Sequence, residues 1–142
     1  MSAVARISFE PHNDGPKKFV IDGVVNHNIA ATGHAEYLPV QYYLRGEDDE
    51  VLGGLLGNIW GTWLHVHILW VAQAARGKGH ARDMMLAAED YAVRRGCKNA
   101  HLETFSFQAR PFYEKLGYSV FGELKDYPAG HAEFFMKKSL TK

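Results

Sequence analysis

The chain has 142 residues, with 16 Lys+Arg against 16 Asp+Glu, so its formal charge at pH 7 is zero. That length suits one domain burying roughly 70% of the surface its unfolded chain would expose. A hydrophobic share of 46% and a charged share of 23% exclude a disordered chain. Charge neutrality argues against a nucleic-acid partner, which a basic excess would mark. The most apolar stretch, Ile59 to Val71, is interrupted by His65 and His67 and is too short to span a bilayer. The lone Cys97 cannot form an intramolecular disulfide, and residues 1–6 hold no apolar signal core. These features together read as a soluble cytoplasmic domain with no membrane partner.

Residues 4–9 alternate like a first strand, and Pro11 to Pro16 punctuate it. From Lys17 to about Thr32, Val20, Val24, Ile29 and Ala30 fit helical spacing. Residues 39–45 and 51–60 predict a strand pair joined by the acidic turn Gly46-Glu47-Asp48-Asp49. Leu64 to Val71 predicts a strand with Leu64, Val66 and Ile68 on one face and His65, His67 and Leu69 on the other. Gly77-Lys78-Gly79 then opens a helix whose Ala81, Met84, Met85, Ala88 and Ala92 form one apolar stripe, with Gly96 as its stop. Ala100 to Phe105 predicts a strand, Gln108 to Leu116 a short helix, and about 118–124 and 132–139 two closing strands. The order β-α-β-β-β-α-β-α-β-β describes an α/β sheet with helices against it.

Two segments carry chemistry. Glycines at a helix entrance let backbone N–H groups approach a ligand, and the helix dipole there favours an anion. Arg76-Gly77-Lys78-Gly79-His80-Ala81 has that form, although it matches neither the P-loop nor the dinucleotide fingerprint. A tight turn that needs glycine for steric reasons explains the same residues. His65 and His67, two residues apart on a strand, project from one face, and histidine titrates near neutrality as a general base must. His101 and Glu103 repeat that spacing on the next strand. They fit ordinary polar positions, an orienting carboxylate, or part of a metal site.

Arg76-x-x-Gly79-x-Ala81 resembles the pyrophosphate-loop signature of the GNAT N-acetyltransferase superfamily, and Ala109 to Tyr118 resembles its second signature, A-x-x-F-Y-x-K-x-G-F/Y. Both lie in the family's order, separated by a helix and a strand. The resemblance covers roughly residues 51–140 and implies a single N-acetyltransferase domain over 1–142. The implied fold is a central, mixed, mostly antiparallel twisted sheet with helices on both faces and a splayed cofactor cleft between the central parallel strands. It implies acetyl-CoA as co-substrate. Arg76, Gly77, Lys78, Gly79, His80 and Ala81 would hold the pyrophosphate, with pantetheine along Leu69, Trp70 and Val71. Ser106 stands where the family often has Asn, and serine reaches less far than an amide. Tyr113 occupies the position of the family's general acid. The histidine pair resembles that of the serotonin N-acetyltransferases, which implies proton removal by His65 or His67, with Glu103 as an alternative base or orienter. Trp60, Trp63, Tyr37, Tyr42 and Tyr43 precede that strand, where the fold builds its acceptor cleft.

The expected activity is transfer of the acetyl group of acetyl-CoA to an amine of a small molecule or peptide by direct attack. No metal is expected, and a homodimer is compatible with the sequence. Two rivals stand beside this reading: a non-catalytic CoA-binding or regulatory domain, and a metal-dependent hydrolase built on the histidines.

Overall fold

The computed structural model describes residues 4–35 and 37–141, and the chain forms two compact units, residues 1–35 and 36–142. In the first unit, residues 4–10 adopt no regular structure, which corrects the strand expected over 4–9. Alternation makes a segment fit to pair, but a strand exists only where a partner takes its backbone hydrogen bonds. Helix α1 follows at Lys17–Thr32, as its apolar spacing predicts, and ends at Gly33, whose N–H donates to the Ile29 carbonyl at 2.8 Å.

The second unit is a six-stranded sheet built from β1 (Leu38–Arg45), β2 (Val51–Trp60), β3 (Trp63–Val71), β4 (Asn99–Phe105), β5 (Ser119–Lys125) and β6 (Ala132–Ser139). The spatial order is β1-β2-β3-β4-β6-β5. Every neighbouring pair is antiparallel except β3 with β4. That parallel pair requires a crossover, supplied by α2 (His80–Arg94); the shorter α3 (Arg110–Lys115) precedes β5. The stripe of α2 buries Met84, Met85, Ala88 and Ala92 in one core with Leu55, Leu64, Val66, Ala100, Leu102 and Met136. Each large side chain buried there contributes roughly 1.5–3 kcal/mol. On the outer face Asp90 and Arg94 pair at 3.2 Å.

The stripe also buries a charge that the periodicity did not reveal. Glu89 accepts hydrogen bonds from the Tyr118 hydroxyl at 2.8 Å and the Lys138 ammonium at 2.6 Å, tying α2 to β6. Burial, reinforced by the Glu89 charge, pushes the Tyr118 phenol well up, and burial alone pushes Tyr113 up to about 12. The fold therefore favours neutral phenols. Their contribution is full below the unfolded phenol pKa of ~10 and is lost as pH rises through the folded values. Melting temperature is expected to fall steeply above pH ~10. Tyr113→Phe should remove roughly 2–3 kcal/mol of that alkaline loss, measured as the difference in unfolding free energy between pH 9 and pH 12.

Strand β3 departs from simple alternation. Leu56 of β2 faces Ile68, but Gly57 faces Val66, so His67 is an extra residue inserted as a β-bulge. The insertion flips the side chains beyond it. Leu64 and Val66 are buried as expected, but Ile68 turns out to solvent, and Leu69 and Val71 move to the core side. Gly57 makes this possible, since a Cβ there would stand 2.4 Å from the His65 carbonyl oxygen. Gly57→Ala should therefore force the strands apart and cost about 1–3 kcal/mol, read by denaturant unfolding. It should lower activity further by displacing His67.

Candidate active site

Strands β3 and β4 pair only at one end, from Trp63 opposite Asn99 to Val66 opposite Leu102. Beyond that point β3 keeps β2 as its partner and β4 keeps β6, so the two central strands diverge. The gap is a cavity of about 260 Å³, lined by Val66 to Trp70 of β3, Leu102 to Thr104 of β4, and Gln108, Ala109 and Tyr113. His67, Glu103 and Tyr113 thus come from three elements to one opening. Backbone groups freed by the divergence and the titratable side chains share that space.

The polar face of the sheet gathers four residues. His65 stands opposite His101 in the parallel register, their rings stacked with centroids 4.0 Å apart and planes at 13°. The His67 ring lies 4.0 Å from that of His65. His65 Nε2–H donates to both Glu103 oxygens, at 2.8 and 3.1 Å. His67 Nε2–H donates to Asn58 Oδ1, and Asn58 is itself buried. A carboxylate or amide oxygen can only accept, so each imidazole carries a proton on Nε2, and the neutral His67 ring leaves Nδ1 as an acceptor. Burial, and then repulsion from His65, hold His67 and His101 below the ordinary imidazole pKa. His67 is therefore uncharged at neutral pH, as a proton acceptor must be.

At the far end of β3, a second cavity of about 360 Å³ is lined by Val71, Ala75, Arg76, Gly77, His80, Ala81 and Phe112, among others. Gly79 is the residue at the α2 N-terminus, with φ 84° and no side-chain cap. The first intrahelical bond there runs from the Asp83 N–H to the Gly79 carbonyl at 3.0 Å, so the N–H groups of His80, Ala81 and Arg82 point outward. A Cβ at Gly77 or Gly79 would meet nothing within 4 Å, which leaves the approach to those donors open. Such a helix N-terminus is suited to a phosphate. Arg76 is directed elsewhere, its Nε–H donating to the Val71 carbonyl at 2.8 Å and locking the strand end to the loop.

The sequence profile of the acetyltransferase (GNAT) family matches residues 4–118. The chain belongs to this family. It is similar to acetyltransferase Atu2258 of Agrobacterium fabrum, with 32% identity over 122 residues, covering 86% of this chain and 89% of that protein. It is also similar to the blasticidin-S acetyltransferase of Streptomyces morookaense, with 39% identity over 99 residues, 69% of this chain and 73% of that one. A crystal structure of an acetyltransferase from Bacillus cereus superposes with a TM-score of 0.82 at 27% identity, covering 94% of this chain and 97% of that chain.

As a GNAT N-acetyltransferase the protein brings most of the expected site residues to the two cavities. Leu69, Trp70, His67, Glu103 and Tyr113 line the first, and Val71, Arg76, Gly77, Gly79, His80 and Ala81 the second. Lys78 is exposed beside the loop and lines neither. Ser106 also lines neither: its Oγ accepts from the Ala132 N–H at 3.0 Å, bridging to the start of β6. His65 sits beside the first cavity, joined to it through Glu103. Sequence reading missed Asn58, the partner of His67, whose one signal was an amide inside the otherwise apolar run Leu55 to Trp60. It also missed Phe112, which walls the phosphate-loop cavity although it lies within the second signature. No helix among the described residues is long and apolar enough to cross a membrane.

Proposed function

We propose that the chain, acting over 1–142 as one N-acetyltransferase domain, moves the acetyl group of acetyl-CoA directly onto an amine of a small molecule. The observation that carries this reading is the cleft between β3 and β4, where His67 and Tyr113 face one cavity. When bound, acetyl-CoA supplies an acetyl thioester open to attack. The N–H groups at the α2 N-terminus hold its pyrophosphate, and Leu69 to Val71 run alongside its pantetheine. His67 Nδ1 takes the proton from the attacking amine, while its Nε2–H keeps hold of Asn58 and the His65–Glu103 pair offsets the growing positive charge. The Tyr113 hydroxyl donates toward the leaving sulfur. Raised to about 12, it is a weaker acid than a free phenol and remains protonated throughout the working pH range.

Tyr113→Phe should lower kcat by about 10- to 100-fold, the worth of a hydrogen bond to a charged group, with the KM for acetyl-CoA nearly unchanged. A loss below about threefold would return Tyr113 to packing alone.

A small-molecule amine as acceptor is supported by the similarity to the blasticidin-S acetyltransferase. Trp63, half-exposed and edge-on to His101 at 5.5 Å, offers an aromatic wall beside the polar cluster for such an amine-bearing ring compound. The test is to incubate the protein with acetyl-CoA and blasticidin S, an aminoglycoside, a polyamine or a lysine peptide, and to weigh the products. Mass gain of one acetyl on a small-molecule amine is expected. Acetyl-CoA binding with no amine acetylated would overturn the catalytic reading in favour of a CoA-binding domain.

A further inference from the structure

We propose that His65, His101 and Glu103 form a binding site for a zinc-class divalent cation, and that its occupancy shuts off acetyl transfer. Each of the three offers one donor atom, and these atoms all lie within 4.8 Å of one another. Two imidazoles and a carboxylate make a ligand set that zinc takes readily while keeping a fourth position open. The sheet creates this set. The parallel register puts His65 opposite His101, and Glu103 follows two residues further along the same face of β4.

A cation requires two adjustments. Tetrahedral donors at about 2.0–2.1 Å from zinc stand roughly 3.3 Å apart. His65 Nε2 and Glu103 Oε2, now at 2.8 Å, must part by about half an ångström to reach that spacing. The His65 and His101 rings, stacked with planes at 13°, must also tilt out of stacking so that a nitrogen lone pair of each faces the ion. His65 ligates through Nε2 once that atom gives up its proton, which moves to Nδ1 or is released as the cation binds. Both side chains of the His65–Glu103 pair are partly open to solvent, at 22% and 28%, which gives an ion a way in.

Cation binding is independent of the assigned activity, whereas the inhibitory half of the proposal rests on the acetyl-transfer reading above. A cation held there lies against the His67 ring, 4.0 Å from His65, and draws Glu103 out of the wall of the catalytic cavity.

The experiment uses untagged, full-length protein freed of metal with chelator. Zinc is titrated calorimetrically, and cobalt(II) is added separately to read the visible d–d bands of tetrahedral coordination. One zinc per chain is expected, with His101→Gln and Glu103→Gln each weakening it by about a hundredfold or more, since outer-shell changes alone cost 10- to 100-fold. His101 has no part in the transfer step, so His101→Gln should keep the metal-free activity and lose zinc inhibition. Acetylation is followed by product mass, because the thiol of released CoA itself binds zinc. No saturable binding, or equal affinity in the wild type and both variants, would overturn the site. Zinc bound by the wild type with undiminished transfer would overturn the inhibitory half. A metal-free wild type that acetylates no amine counts instead against the proposed function, and the titration still decides the site.

Discussion

His67→Gln is expected to lower kcat/KM by about 10²–10⁴-fold, the usual worth of a positioned general base, while leaving the Kd of acetyl-CoA unchanged. Glutamine matches the reach of the ring and can still face Asn58, so the fold should hold, but an amide cannot take a proton at neutral pH. The loss has a signature that a packing defect lacks. An acceptor amine resembling lysine ionises near ~10, and as pH approaches that value a growing fraction arrives already deprotonated. The ratio of wild-type to variant kcat/KM should therefore shrink as pH rises. A loss below about threefold, or a ratio that stays constant up to pH 10, would take the proton-accepting role away from His67. Glu103→Gln would then be the next variant to measure.

Gly79→Asp should abolish acetyl-CoA binding. In the wild type, acetyl-CoA at a hundred times its Kd should stabilise the fold by about 2.7 kcal/mol, seen as a rise in melting temperature. Aspartate at this position puts a carboxylate at the mouth of the N–H groups of His80, Ala81 and Arg82, where it competes with the phosphates by charge and by hydrogen bonding. The surrounding space is open and aspartate tolerates the left-handed region better than most residues, so the unliganded variant should fold. Its melting temperature should not move when acetyl-CoA is added. An undiminished shift would remove the glycine loop from the binding site and leave it as a turn.

Most elements of the sheet were readable because each satisfies a local rule. The stripe of α2, the hairpin of β1 and β2 and the glycine loop are determined by periodicity and turn chemistry within a few residues. The two GNAT signatures, read together, were enough to anticipate the cleft and the family. Residues 4–9 show the limit of such reading. Their alternation is as regular as that of a true strand, but pairing depends on a distant segment that a local pattern does not contain.

The amino-acid order was enough to name the side chains fit for chemistry: a histidine pair, a carboxylate two residues beyond another histidine, and a tyrosine in a recognisable motif. Which of them meet is settled by the packing of distant segments. The β-bulge at His67 comes from the close approach of Gly57 to the β3 backbone, and it turns Ile68 outward against the simple two-residue period. The parallel register of β3 and β4 sets His65 opposite His101, with Glu103 diagonal to it as its hydrogen-bond partner, and the antiparallel register sets Asn58 opposite His65, from where it accepts from the bulged His67. Burial in the core fixes the proton on Tyr113, a shift that no neighbour in sequence could announce. Register, burial and strand divergence are properties of pairs of segments far apart in the chain. They are set by how the whole sheet closes its core, and so they became visible only in the fold.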